Sequence, residues 1–354
     1  MKKYSLVILC VLTFLALIVG ACSSPSGGDG GFIQGTGDSP SSPILINNEE
    51  SLRKVGTGDW GLNKHYKQIA DIKMLKPFTP IGNNLTPFTG RYNGGNHTIT
   101  NLTITNTDPF TGLFGYVSGD GTTTGIIENV GLINCSISGE HYIGGVVGYM
   151  YNGTVQNCYV VGNVEGNMNV GGIVGYILNS GTVQNCYATG SITGTGTNSP
   201  GGGIVGRILN NGTVQNCYST SNVEGYYVGG LLGFNSGTVQ NCVALNLVIK
   251  KTSGSNTEIG RVAGYNGSTL TNNYARSDMT MPNINYTPDI GPNKKDGADL
   301  TVTGSGTANE TVFAYSNGWS SSDWDIPDGY LSETNRKLPT LKNMPGAAQN
   351  PQLP

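Results

Sequence analysis

Seven cysteines, three histidines and 22 acidic residues are the raw material for any metal centre or acid–base pair in this chain. Four of the cysteines, Cys158, Cys186, Cys217 and Cys242, follow an asparagine in near-identical phrases and so share one position of a repeat. Stacked at about 4.8 Å per rung they would spread along a line of roughly 14 Å, whereas a tetrahedral metal site gathers four sulfurs around one point. The expectation is a buried thiol column that holds no metal. Disulfides between neighbouring rungs stay open, since about 4.8 Å falls within the permitted Cα separation of roughly 4.4–6.8 Å. Setting aside Cys10 and Cys22 of the N-terminal 22 residues leaves five thiols, an odd number, with Cys135 outside the column.

The histidines, His65, His97 and His141, form no His-Glu-x-x-His motif, and no Gly-rich phosphate loop is present. The densest acids, Asp323, Asp325 and Asp328, stand near the C-terminus, while the repeats hold scattered ones such as Glu128, Glu165 and Glu224. Glu165 and Glu224 fall at similar places two coils apart, about 10 Å by rung spacing, wide for a retaining carboxylate pair and marginal for an inverting one. These patterns argue against an enzyme and call for no cofactor. A carbohydrate-active lyase or hydrolase is the alternative, and it would need clustered carboxylates in one groove.

The elements that position these side chains are set by an asparagine column. Asn101, Asn129, Asn157, Asn185, Asn216, Asn241 and Asn272 recur every 25 to 31 residues. Gly-Thr-Val-Gln-Asn-Cys-Tyr is repeated at 153–159, 181–187 and 212–218, with a close copy at 237–242. A fixed period of this size marks a solenoid, whose units bury a core only by stacking. The units carry Val, Ile, Thr and Tyr broken by Gly and Asn, and the chain has 55 glycines with only 12% charged residues. Ordinary domains have roughly 7% Gly and 25% charge, so stacked parallel strands are expected in place of helices. Asparagine suits a ladder at a bend because it tolerates left-handed backbone and its amide both donates and accepts.

Strand alternation sorts the remaining columns. Leu102, Val130, Cys158, Cys186, Cys217, Cys242 and Asn273 should point inward, as should Ile104, Leu132, Val160, Ala188, Ser219, Ala244 and Ala275. The position between them faces out and reads Thr103, Gly131, Tyr159, Tyr187, Tyr218, Val243 and Tyr274. Such a tyrosine ridge could hold a sugar or a peptide through ring faces and hydroxyls, or simply stabilise the sheet. Gln156, Gln184, Gln215 and Gln240 form a further outward column.

A second phrase recurs between these strands: Gly144-Gly145-Val146-Val147-Gly148, Gly171-Gly172-Ile173-Val174-Gly175, Gly202-Gly203-Ile204-Val205-Gly206 and Gly229-Gly230-Leu231-Leu232-Gly233. The residue after it reads Tyr116, Tyr149, Tyr176, Arg207, Phe234 and Tyr265, so Arg207 should sit between aromatic neighbours as a cation–π partner. On these phrases the chain resembles the GLUG-repeat proteins, strongly over 97–277. That resemblance implies a bacterial surface or secreted protein, in some members adhesin-like and in others a peptidase whose repeats are non-catalytic. With it, the fold expected is all-β: a right-handed parallel β-helix of about seven coils, the handedness taken from fold analogy.

Residues 1–21 read as a leader, with Lys2 and Lys3 before an apolar run from Leu6 to Val19 too short to span a bilayer comfortably. Val19-Gly20-Ala21-Cys22 resembles the lipobox of bacterial lipoproteins. The resemblance implies cleavage before Cys22, acylation of that residue, and anchoring to the bacterial outer membrane or cell surface. Removing Lys2 and Lys3 leaves 17 basic against 22 acidic residues, a net charge of 17 − 22 = −5, which offers no basic stripe to nucleic acid.

The Ser-, Gly- and Pro-rich run makes 22–43 a flexible tether. Residues 44–96 read as an N-terminal cap and first coil, opening with a short helix over roughly 48–56. Residues 278–354 read as a trailing cap with Trp319 and Trp324 packed on the last coil. The expected role is a lipid-anchored module whose side walls meet a glycan or a host or matrix protein; a purely structural envelope spacer is the further alternative.

Overall fold

The computed structural model describes residues 34–105, 107–119, 124–253, 258–282, 284–301, 312–314, 318–327, 337–344, 349 and 351–352. The anchor position Cys22, the leader, most of the tether and Asp328 lie outside the described residues. From Gln34 onward the chain is a right-handed parallel β-solenoid of about eight turns, one more than the seven expected, and almost without helix.

One coil is built from four strands: Thr154–Gln156, Tyr159–Gly166, Val170–Gly171 and Val174–Leu178. Each pairs in parallel with its counterpart one repeat on, Val155 with Val183, Tyr159 with Tyr187, Val170 with Gly201 and Val174 with Val205. The inward residues stack into dry columns. Val155, Val183, Val214, Val239 and Leu270 form one and Ile173, Ile204, Leu231 and Val262 another, all buried. Burying each such side chain contributes about 1.5–3 kcal/mol, and the stack gains this at every turn.

Asparagine makes the bend after the first strand. Asn129, Asn157, Asn185, Asn216, Asn241 and Asn272 all have φ between 52° and 56°, the left-handed region. Asn157 Nδ2 donates to Asn129 Oδ1 at 3.2 Å, Asn185 to Asn157 at 3.1 Å and Asn272 to Asn241 at 2.8 Å. Asn101 does not belong to this column. The strand Arg91–Thr100 carries two extra residues between Asn93 and His97, so Asn96, with φ 65°, lies opposite Asn129. Asn101 instead pairs with Asn134, which donates to it at 2.8 Å. By the same shift Thr98 and Ile99, not Thr103 and Ile104, lie opposite Gly131 and Leu132.

The corner before the GLUG phrase absorbs part of the change in repeat length. Three residues separate Gly166 from Val170, six separate Gly194 from Gly201, two separate Gly225 from Val228, and seven separate Lys251 from Ile259, yet these positions stay paired.

Each end is covered differently. At the start, the helix Glu49–Arg53 is capped by Asn48 and Ser51 and buries Leu52. At the far end Arg261 and Arg276 are buried, each paired with a carboxylate, Asp299 at 2.7 Å and Asp278 at 2.7 Å. The trailing segment with Trp319 and Trp324 is not the end cap. It lies along the side of the solenoid, over Tyr187 and Tyr218.

Candidate functional site

Three outward columns and the thiol column could carry chemistry, and the structure treats them differently. The thiols of Cys158, Cys186, Cys217 and Cys242 are buried and unlinked, each donating to a carbonyl of its own coil at 3.1–3.2 Å. Asn273 ends the column, its amide accepting from Cys242 N and donating to Val239 O. Burial pushes Cys158 and Cys217 up, and Cys135 up to about 12, so thiolate, the nucleophilic form, is disfavoured at these three; at Cys186 burial also raises the thiol, but hydrogen bonds with Cys158 and Cys217 outweigh it and lower the value.

The glutamines form a one-way chain. Gln240 donates to Gln215, Gln215 to Gln184, Gln184 to Gln156, and Gln156 to Glu128, each at 2.8 Å. Arg91 closes the chain on the far oxygen of Glu128. Amide dipoles aligned toward a carboxylate strengthen one another, and this ties five successive coils into one polar ladder.

The expected tyrosine ridge is present as a column and absent as a surface. Tyr159, Tyr187 and Tyr218 stack at 5.1 Å and 4.9 Å with planes within 6°. They point away from the solenoid core, as alternation requires, yet their exposure is 0%. Phe313, Trp319, Trp324, Leu341 and Met344 seal them into a second apolar core. The cover is also pinned by hydrogen bonds. Tyr218 Oη donates to Pro339 O at 2.6 Å, Tyr187 Oη to Gln349 Oε1 at 3.4 Å, and Asn216 Nδ2 to Gly318 O at 2.8 Å. Tyr274 is half-buried against the same cluster. Gly131 leaves room below Tyr159, since a Cβ there would lie 2.4 Å from the ring. These four tyrosines therefore offer no open ridge to a ligand.

The column after the GLUG phrase is open. Tyr116, Tyr149 and Tyr176 stack at 4.6 Å and 5.0 Å, and Phe234 and Tyr265 at 4.4 Å. Arg207 lies between these groups in register with Tyr176 and Phe234, its Cζ 4.4 Å from the Phe234 centroid, as the sequence led us to expect. All are half-buried except Tyr265, which is 41% exposed. Because these rings stack on one another, they turn edges and hydroxyls outward.

The glycines bring a second aromatic column beside the first. A Cβ on Gly148 would lie 2.6 Å from Thr111 N and 2.8 Å from Tyr142 O, so the two strands meet only because the position is glycine. Phe110, Tyr142 and Tyr227 follow one column, each two residues ahead of the first glycine of its phrase. Phe110 and Tyr142 lie within 11° of parallel and near perpendicular to the stacked tyrosines, at 84° and 82° to Tyr149. Tyr227 stands at 89° to Phe234. The faces of Tyr149 are occupied by Tyr116 and Tyr176, and Tyr142, itself half-buried, meets Tyr149 and Tyr176 edge-to-face. These three residues were missed in the sequence, although the aromatic two places before Gly112, Gly144 and Gly229 is a readable signal. In the coils between, the same place holds Asn169 and Pro200.

Among the described residues no three acids, histidines or cysteines gather into a group that could hold a metal. Glu165 and Glu224 do align, through Thr193, two rungs apart, and Glu224 is paired with Lys250 at 3.0 Å.

Residues 139–165 and 166–193 match the family model described as the GLUG motif. Halomucin of Haloquadratum walsbyi is 32% identical over 159 residues, 42% of this chain and 2% of that protein, so the chain spans a small part of its curated relative. A crystal structure from Bacteroides ovatus, named a candidate immunoglobulin A1 protease, is similar with a TM-score of 0.71 at 22% identity, over 88% of this chain and 95% of that one. At that identity the likeness speaks for the fold.

Proposed function

We propose that this protein is a non-catalytic binding module, held at a bacterial surface by a lipid on Cys22, whose open aromatic strip takes a polysaccharide chain running along the solenoid. The observation that carries the reading is the contrast in cover: one aromatic column is sealed by the chain itself, and the strip beside the GLUG corners is left half-exposed over six rungs. Large aromatic side chains left open to water in a regular row mark an interaction surface. Ring faces from Phe110, Tyr142 and Tyr227 suit the apolar faces of sugars, while the neighbouring tyrosine hydroxyls suit their hydroxyl groups. Burial raises Tyr149 and Tyr176 above the ordinary tyrosine value, so these hydroxyls stay protonated donors at neutral pH.

An extended peptide fits less well. Peptide strands are held by pairing with a free sheet edge, and here the strands cross the strip with both neighbours paired. The anchor reading rests on the lipobox-like residues Val19 to Cys22.

The test is binding of the intact protein to immobilised polysaccharides, beside a Tyr142→Ser/Tyr149→Ser variant whose melting transition stays cooperative. Loss of binding in the variant is expected. A folded variant that binds like the parent would remove the strip from consideration.

A further inference from the structure

We infer that the strip selects an acidic polysaccharide, one bearing carboxylate or sulfate groups, and that Arg207 is the residue that reads the charge. The inference rests on the strip being the binding surface and adds the chemical class of its ligand.

Arg207 differs from the other described arginines. Arg53, Arg91, Arg261 and Arg276 each hold a carboxylate at 2.6–2.7 Å. Among the described residues Arg207 has no ion-pair and no hydrogen-bond partner through its guanidinium nitrogens, and its Nε is buried without an acceptor. A guanidinium has five donors and cannot shed its charge in a protein. Leaving a buried donor unpaired is costly, and an arriving anion would relieve that cost.

Its surroundings fit a bound anion. The Phe234 ring below holds the guanidinium in place through its face, which leaves the rim of donors for an outside partner. In the facing column the aromatic residues are replaced at this level by Asn169 and Pro200, both buried, so no ring stands beside Arg207 between the platforms of Tyr142 and Tyr227. Those platforms are three rungs apart, about 14 Å. A chain of sugars spanning the two platforms would bring one residue's substituent to Arg207. Arginine's planar fork matches carboxylate and sulfate oxygens in pairs.

The experiment uses the intact protein and two matched pairs of polymers, polygalacturonate with its methyl ester and dextran sulfate with dextran. Binding is compared for the parent, Arg207→Gln, Arg207→Lys and Tyr142→Ser/Tyr149→Ser, with poly-glutamate as a peptide control. We expect at least one acidic polymer to bind the parent tenfold or more tighter than its neutral partner, Arg207→Gln to erase that preference, and Arg207→Lys to restore part of it. Equal binding of an acidic polymer by the parent and Arg207→Gln would overturn the role of Arg207 while the strip reading stands. Undiminished binding by the tyrosine variant would overturn the strip reading as well. Arg207-dependent capture of poly-glutamate alone would overturn the polysaccharide class, and no binding to either pair by a folded protein would overturn both.

Discussion

Two aromatic columns run up the same solenoid, spaced by the same rungs, and only one reaches solvent. Tyr159, Tyr187 and Tyr218 are stacked more regularly than Tyr116, Tyr149 and Tyr176, with interplanar angles of 6° and 3° against 24° and 14°. The more regular column is the one that is packed, because an apolar segment closes over it and fixes each ring from outside. The looser column is bounded by glycines and by a neighbouring column set at right angles. Repetition creates both; the non-repeating C-terminal segment decides which is core and which is surface.

The comparison can be broken most forcefully from the covered side. Trp324→Ala or Tyr187→Ala removes a fully buried aromatic and should destabilise the fold by about 3–5 kcal/mol in denaturant titration. A loss below about 1 kcal/mol would mean that the segment is not packed on the ridge. Asn185→Leu places a branched side chain at φ 52° and cuts the amide ladder at one rung, for a loss of roughly 1–3 kcal/mol read from the same titration. On the open side, Tyr176→Ser should cost only about 0.5–1.5 kcal/mol of stability while lowering polysaccharide binding, the reverse of the pattern expected for Tyr187.

Alkaline pH separates the columns with the smallest perturbation. Tyr187 and Tyr218 are held well above their ordinary value of 10.0 by burial, and Cys135 is raised from 9.0 to about 12 by the same cause. Folded values above unfolded ones mean that the stability tied to these groups is whole below about pH 9 and falls as pH rises beyond it. Phenolate absorbance of the ridge tyrosines should therefore appear together with unfolding. Ionisation of Tyr187 in a protein that is still folded would show the cover to be open.

Much of this fold could be read in the sequence because it repeats. The inward valines, the thiol column, the glutamine ladder and the place of Arg207 between Tyr176 and Phe234 all follow from copying one coil onto the next. Where copying fails, so did the reading. Asn101 lies 28 residues before Asn129, the common period, but two extra residues after Asn93 move Asn96 into the column and Asn101 out of it. The burial of the tyrosine ridge was illegible for a different reason. Alternation reports the side of the sheet on which Tyr187 lies, and nothing periodic reports that Trp319, Trp324 and Leu341 will return to that side more than a hundred residues later. The platforms Tyr142 and Tyr227 were legible in principle, but three of the six coils, with Asn169, Pro200 and Glu258, replace the aromatic, which hid the column.

The corner ahead of the GLUG phrase holds between two and seven residues in successive coils, and every ladder on either side stays in register across it. Such a joint separates the inheritance of the scaffold from the inheritance of its ornaments. Gene duplication can lengthen the column one turn at a time, while insertions at the joint vary the outline that passing molecules meet, and neither change disturbs the other.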